Sequence, residues 1–270
     1  MLGSVTEAED VVQDVAIRYL HVDDANIRAP EQYLTSMTVR ACIDHLRSAR
    51  RRREVYVGPW LPEPVPTGGD AVDPGEHLER ADSISMAFLV ILQALSPAER
   101  AAFLLRVVFD YEYDEIAAIL SRSPGACRQL VSRAREHLRS GRRRFDTSVA
   151  ANRRLTERFL DAARGGDVAG LVRMLADDAT LWADGGGKVA AAINPVEGAD
   201  RVARYMAGIF SRQPRLEATI ENVNGESAIV LRWKGRIDSV ISLAVDGSRI
   251  VGVFNQRNPE KLAHLASRAS

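Results

Sequence analysis

Arg128, Gln129, Ser132, Arg133 and Arg135 fall within one short stretch of the chain. Their chemistry suits a DNA duplex. An Arg guanidinium can bond a guanine edge with two parallel hydrogen bonds, and a Gln amide can do the same on adenine. Arg and Ser can also hold phosphate oxygens and so set the register of a helix on the duplex. The same residues would equally suit the solvated face of a purely structural helix, and from this helix alone both readings stand.

The spacing around them says what would present them. Cys127, Val131, Ala134 and Leu138 recur at helical intervals and make one buried stripe, with the polar residues off it. Ser123-Pro124 is a cap followed by a first-turn proline and opens this helix, which extends to about Arg139. Ser121-Arg122-Ser123 forms a turn, and a short helix with Ile116, Ala117 and Leu120 precedes it. Upstream, Ser96-Pro97-Ala98-Glu99 is a capping box that opens an apolar helix through Ala102, Phe103, Leu105, Arg106 and Val107. Asp110-Tyr111-Glu112-Tyr113 breaks that helix. A short helix, a tight turn and a longer Arg-bearing helix are the parts of a helix-turn-helix.

The 270 residues leave room for about two domains. Charge balances overall, 36 basic against 36 acidic residues, but it is unevenly spread. Arg47 and Arg50–Arg53 form one basic cluster; Arg128, Arg133, Arg135, Arg139 and Arg142–Arg144 form another. Local patches, not totals, set the field that a DNA backbone meets. Cys42 and Cys127 both fall in helical stretches and read as buried free thiols of a reducing compartment. No run is apolar and long enough to span a bilayer and no signal peptide is visible, so a cytoplasmic protein without a membrane partner is expected. The sequence calls for no metal and no cofactor.

Three segments and a strap emerge. Residues 1–54 read as helical: Glu7 to Val15 starts acidic and sends Val11, Val12, Val15 and Ile17 toward a core, and Pro30 opens a long helix with Tyr33, Leu34, Met37, Ala41 and Leu46 as its apolar stripe. Residues 55–80 form a linker; within 58–75 lie five of the chain's eleven prolines, a composition that excludes helix and sheet and favours an extended strip. At ~3.1 Å per residue such a strip reaches ~55 Å, comparable with one to two turns of DNA, ~35–70 Å. Residues 81–145 hold the helix-turn-helix. Residues 150–270 read as α+β: helices near 153–164, 168–176 and 198–211, a strand Ala179–Asp184, then strands Arg215–Val223, Ser227–Lys234, Ile237–Val245 and Arg249–Gln256 as an antiparallel meander. Asn224-Gly225 and Asp246-Gly247 are hairpin turns, and Asn258-Pro259 starts a last helix.

Taken together these residues resemble a bacterial extracytoplasmic-function (ECF) sigma factor, in particular the subgroup with a fused C-terminal SnoaL-like domain. Three short motifs carry the narrower likeness: Trp60-Leu61-Pro62-Glu63-Pro64 in the linker, Asp184-Gly185-Gly186-Gly187-Lys188 after the first C-terminal strand, and Asn258-Pro259-Glu260-Lys261-Leu262 near the end. The resemblance implies a multidomain fold: an all-α sigma region 2, an all-α helix-turn-helix region 4 and a cone-shaped α+β SnoaL-like domain. It implies RNA polymerase core and promoter DNA as partners. Glu7, Asp10, Gln13 and Asp14 would grip the polymerase. Arg40, Arg47, Arg50, Arg51, Arg52 and Arg53 would work at the −10 element, and Arg128, Gln129, Ser132, Arg133 and Arg135 at the −35 element. The three motifs would form an intramolecular regulatory interface, in which Trp60 docks on the C-terminal domain, Glu63 pairs with Lys188 and Gly185–Gly187 admit close backbone approach. Proteins of this kind carry a further helix pair before the acidic segment, whereas this chain begins with Met1-Leu2-Gly3-Ser4 at the loop entering it. Either the true start lies upstream of Met1, or region 2 is partial, with an apolar face that a homodimer would cover.

Two other functions fit parts of the chain. A stand-alone DNA-binding regulator would use the helix-turn-helix but leaves the Tyr33–Arg53 helix and its acidic neighbour without a task. A cyclase, isomerase or dehydratase, or a ligand sensor, would use the C-terminal fold. An enzyme there needs a buried acid or base, for which Asp177, Asp178, Trp182 and Asp184 are the local candidates, with no His on strands Ser227–Lys234 and Ile237–Val245. No enzymatic activity is expected.

Overall fold

The computed structural model describes residues 1–22, 27, 29–53, 55–67, 85–142 and 149–266. Contacts divide the chain into two units: residues 1–55 with 91–140, and residues 56–90 with 141–270.

The first unit is helical. α1 (Val5–Tyr19) begins where Ser4 Oγ accepts from Glu7 N, and α2 (Pro30–Arg53) begins at the expected proline. α1 buries Val11 and Val15, one helical turn apart, against Leu2, Cys42 and Leu46. Val12 and Ile17, expected in the core, are more than half exposed, because α1 packed on one side buries a single stripe; Tyr33 of α2, also expected in the core, is exposed as well. An apolar groove of about 490 Å³ stays open beside it, lined by residues including Met1, Leu2, Val11, Leu34, Leu104 and Phe109.

α4 (Pro97–Val107), α5 (Tyr113–Leu120) and α6 (Pro124–Arg142) follow a helix α3 (Met86–Ala94) within which the two units divide. The Ser96–Glu99 capping box is formed in both directions. Ser121 closes α5 in the left-handed region, φ 53°, and Ser123 Oγ accepts from Ala126 N to start α6. The stripe Cys127, Val131, Ala134 and Leu138 is buried as its spacing requires. Cys127 and Val131 join Val39 of α2 and Ala101, Ile116 and Ile119 in one cluster, so α2 packs directly on the helix-turn-helix. Both cysteines are free and buried, and burial raises the pKa of each thiol.

In the second unit, α7 (Val149–Arg164), α8 (Val168–Met174) and α9 (Ala199–Arg212) accompany a six-stranded sheet: β1 Leu175–Asp184, β2 Val196–Glu197, β3 Glu217–Val223, β4 Glu226–Trp233, β5 Arg236–Asp246 and β6 Arg249–Gln256. The strand order is β2-β1-β6-β5-β4-β3. β3 to β6 form the expected antiparallel meander, but β1 lies parallel to β6, and the short β2 adds an edge too brief to read from a pattern. One face buries Leu181, Ala183, Ile241, Leu243 and Val253 under Phe159, Val202 and Met206 of the helices. The opposite face holds Val230 and Val240 under Leu262 and Leu265 of α10 (Pro259–Ala266), and Ala244 and Phe254 under Leu61.

Candidate nucleic-acid interface and linker clasp

On α6, Arg128, Gln129, Ser132, Arg133 and Arg135 are all exposed on the side away from the buried stripe. Arg128 lies over the Tyr113 ring, 5.2 Å from its centroid, which steadies the guanidinium. Burial pushes the Glu99 carboxyl up, but hydrogen bonds from Ser96 and the nearby charges of His137 and Arg133 outweigh it and leave the pKa low. Asp10, Gln13 and Asp14 are exposed together on α1, while Glu7 is half-buried and pairs with His45 Nε2 at 3.1 Å.

Of the residues expected at the −10 element, Arg47 is exposed and pairs with Asp44 at 3.3 Å. Arg40 reaches instead to the C-terminal end of α5: Nε donates to Ile119 O at 3.2 Å and Nη2 to Ser121 Oγ at 3.1 Å. The negative end of the α5 dipole holds this cation. Arg50, Arg51, Arg52 and Arg53 continue α2, and their side chains lie outside the described residues.

The linker motif and the two C-terminal motifs converge on one buried carboxylate. Alternation along β1 and β6 sends Ala183 and Asn255 toward the helices and Asp184 and Gln256 to the other face, side by side in parallel register. There the strap from Tyr56 to Thr67 lies on the sheet. Asp184 Oδ1 accepts from Tyr56 Oη at 2.5 Å and Gly186 N at 3.0 Å. Oδ2 accepts from Leu61 N at 2.8 Å, Lys261 Nζ at 2.7 Å and Gln256 Nε2 at 3.3 Å. Lys261 Nζ also donates to Leu61 O at 2.7 Å and lies 3.9 Å from the Trp60 ring centroid and 4.9 Å from that of Tyr56. Asn258 Nδ2 donates to Tyr56 Oη, Gln256 Nε2 to the carbonyls of Leu61 and Pro62, and His264 Nε2 to Pro64 O. Burial, reinforced by Asp184, raises the Tyr56 phenol well above its ordinary value.

Further along, Val65 and Asn224 exchange hydrogen bonds and Pro66 makes a β-bridge with Val223, so this proline-rich strip does join the sheet edge, at a position where no proline N–H is needed. Residues 68–80 of the linker lie outside the described residues. The expected Glu63–Lys188 pair does not form. Glu63 is buried with His264 Nδ1 3.9 Å away, and Lys188 bonds Glu260 at the start of α10. The glycine run does serve close approach. A Cβ on Gly186 would stand 2.3 Å from Asn258 Nδ2, and one on Gly187 3.2 Å from Val57 of the strap.

Sequence reasoning placed Asp184, Trp60 and Lys261 in the interface but not Tyr56, Gln256 or His264. Gln256 carried a signal, since it ends β6 on the same face as Phe254, where an apolar residue would be expected. Tyr56 and His264 had none, because only the folded strap brings them within reach.

A helix-turn-helix unit joined to an α+β domain that holds the intervening strap defines a promoter-reading protein with a fused accessory domain. Family models agree: residues 1–52 match sigma-70 region 2, residues 85–138 sigma-70 region 4, and residues 156–254 a SnoaL-like domain. The chain is 33% identical to the ECF RNA polymerase sigma factor SigJ of Mycobacterium tuberculosis, across 97% of this chain and 87% of that protein. It is 29% identical to a probable ECF sigma factor SigI of the same species, across 98% and 89%. The crystal structure of SigJ superposes with a TM-score of 0.76 at 31% identity, covering 97% of this chain and 91% of that one.

The chain belongs to the ECF RNA polymerase sigma factors, with a SnoaL-like C-terminal domain. It is an alternative sigma factor, directing RNA polymerase to promoters.

Proposed function

We propose that α6 reads the −35 element through Arg128, Gln129, Ser132, Arg133 and Arg135, that Arg40, Arg47 and Arg50–Arg53 of α2 serve the −10 element, and that Glu7, Asp10, Gln13 and Asp14 grip RNA polymerase core. Five exposed polar side chains on the helix face opposite the buried stripe are what supports the −35 assignment. Arg40 spends Nε and Nη2 on Ile119 and Ser121 at the end of α5, which leaves Nη1 for a DNA phosphate.

The SnoaL-like domain regulates this sigma factor in cis by holding the strap. The observation that carries this reading is the buried Asp184, which accepts hydrogen bonds from the strap's Tyr56 and Leu61 and from Lys261 of the third motif. While the strap is held, the course of the chain between regions 2 and 4 is restricted; weakening the contact shifts the population toward the polymerase-competent form. The reading involves no covalent chemistry. Of the acid–base candidates, Asp184 has both oxygens occupied, and Asp177 and Asp178 are exposed. Among the described residues no helix is long and apolar enough to cross a membrane, and no group of His, Cys, Asp and Glu is arranged to hold a metal. Action on polymerase in the cytoplasm accords with this. A homodimer through the groove beside Val11 and Phe109 is the alternative assembly, read out by sedimentation.

Run-off transcription with purified core enzyme tests the whole. Core plus this chain is expected to initiate at a cognate promoter, Arg133→Ala to weaken initiation and Trp60→Ala to change its level. Duplex binding by the chain alone, unaffected by core, would support a stand-alone regulator instead.

A further inference from the structure

Asn224-Gly225 is the only Asn-Gly step in the chain. It turns the β3–β4 hairpin: Val223 pairs with Glu226, and the two residues between them lie at φ 55° and 76°. Asn-Gly suits such a two-residue turn because both positions need the left-handed region. The same dipeptide carries a chemical liability. No side chain on Gly225 shields its backbone nitrogen, which can therefore attack the side-chain amide carbon of Asn224.

The strap holds both reacting groups. Gly225 N donates to Thr67 Oγ at 2.9 Å. Asn224 Oδ1 accepts from Val65 N at 2.9 Å, and Asn224 N donates to Val65 O at 2.7 Å. Thr67 N donates to Asn222 O at 3.0 Å, and Pro66 bridges to Val223. Under this cover Asn224 is 1% exposed. A hydrogen bond to the neutral N–H of Gly225 disfavours its deprotonation, and the bond from Val65 fixes the Asn224 amide. The nitrogen that would leave is held by nothing: Asn224 Nδ2 has no hydrogen-bond partner among the described residues. What restrains the reaction is thus the strap.

We propose that Asn224 is a deamidation site gated by the strap, and that its modification makes release of the strap one-way. Gly225 N loses its proton to solvent base and bonds to Asn224 Cγ. The Cγ–Nδ2 bond breaks and ammonia leaves. The resulting cyclic imide takes up water; opening at the side-chain carbonyl gives Asp, and opening at the backbone carbonyl gives isoaspartate. Water is consumed and ammonia released, with no oxidation or reduction. Asp puts a carboxylate where a buried neutral amide stood, which is unfavourable. Isoaspartate adds a methylene to the backbone before Gly225 and moves its N–H out of register with Thr67. Either product weakens the seat of the strap. The reaction runs from the undocked form, so its rate follows the undocked fraction.

The inference rests on the strap being able to leave the domain, as proposed above, and separate signals report the two. Amide exchange at Leu61 follows the strap. Uptake of heavy oxygen from labelled water, located by peptide mass spectrometry of the full-length chain after incubation at mildly alkaline pH, follows Asn224.

Trp60→Ala is expected to speed labelling at Asn224 by roughly 10- to 30-fold, in step with exchange at Leu61. Thr67→Val keeps the shape of the side chain but removes the acceptor for Gly225 N–H. It is expected to speed labelling roughly three- to tenfold and to move Leu61 exchange less. Asn224→Asp, which imitates one product, is expected to speed Leu61 exchange roughly tenfold. Faster Leu61 exchange in Trp60→Ala with unchanged labelling at Asn224 overturns the gate and leaves the strap reading standing. Unchanged Leu61 exchange in Trp60→Ala counts against the strap reading at Trp60; Thr67→Val, which acts at the turn itself, then decides the gate, as it does if Trp60→Ala does not fold. Unchanged labelling in Thr67→Val overturns the gate, and unchanged Leu61 exchange in Asn224→Asp overturns the one-way release.

Discussion

Lys261 Nζ lies 2.7 Å from Asp184 Oδ2, with the side chains 8% and 0% exposed. The pair bridges the first strand of the C-terminal domain and its last helix, and the strap's Leu61 completes the shell of both ions. Removing one partner leaves the other charge buried without compensation, which costs about 3–5 kcal/mol. Lys261→Met and Asp184→Asn are each expected to lose that much in urea unfolding. The double variant is expected to lose clearly less than their sum, because the stranded charge is gone in it. Additive losses would show that the two ions do not act as a pair.

Trp60 is held by the same lysine. A desolvated cation–π contact contributes about 2 kcal/mol, so Trp60→Ala is expected to speed amide exchange at Leu61 and Val65 by roughly 10- to 30-fold. Both amides are bonded only while the strap is docked, Leu61 to Asp184 and Val65 to Asn224. Trp60→Phe, which keeps a ring, is expected to fall between. Unchanged exchange in Trp60→Ala would remove Trp60 from the clasp.

Arg40 caps the end of α5 from α2. Its loss is expected to lower the stability of the helical unit by about 1 kcal/mol, since the contact is exposed and acts partly through the helix dipole. Arg40→Lys keeps the charge but not the fork and should recover only part of that. Urea midpoints followed by far-ultraviolet circular dichroism decide it, and an unchanged midpoint in Arg40→Ala would show the cap to be inert.

Glu226, at the start of β4, is pushed up to about 7 by burial. A carboxyl whose pKa is higher folded than unfolded binds more protons in the native state, so its contribution to stability falls as pH rises. The window runs from about 4.5 to 7, with a slope of at most ~1.4 kcal/mol per pH unit. Glu226→Gln is expected to flatten stability across that window relative to the unsubstituted chain. Identical pH profiles for the two would place the Glu226 pKa near its ordinary value.

Local signals made much of this legible. Proline after serine marked helix starts at Ser96 and Ser123, the Cys127–Leu138 spacing told the buried face of α6 from the polar one, and Asn-Gly and Asp-Gly turns located two of the hairpins. These are short-range effects, written in adjacent residues. Where reading stopped was at distance. Which cation meets Asp184 depends on how α10 returns across the sheet, and Lys261 reaches it while Lys188, only four residues from Asp184, turns to Glu260. Val12 and Ile17 looked like core because apolar type reports the tendency to be buried, not whether a neighbour arrives to cover it.

Residue order alone thus determined most of the elements and the exposed Arg-bearing face of α6, because capping, helical period and turn chemistry act within a few residues. The tertiary structure decided the rest. It set Arg40 on the end of α5 and joined Tyr56, Asp184, Gln256 and Lys261 around one buried charge. Each depends on strand register and on contacts between residues far apart in the chain, which no local pattern encodes.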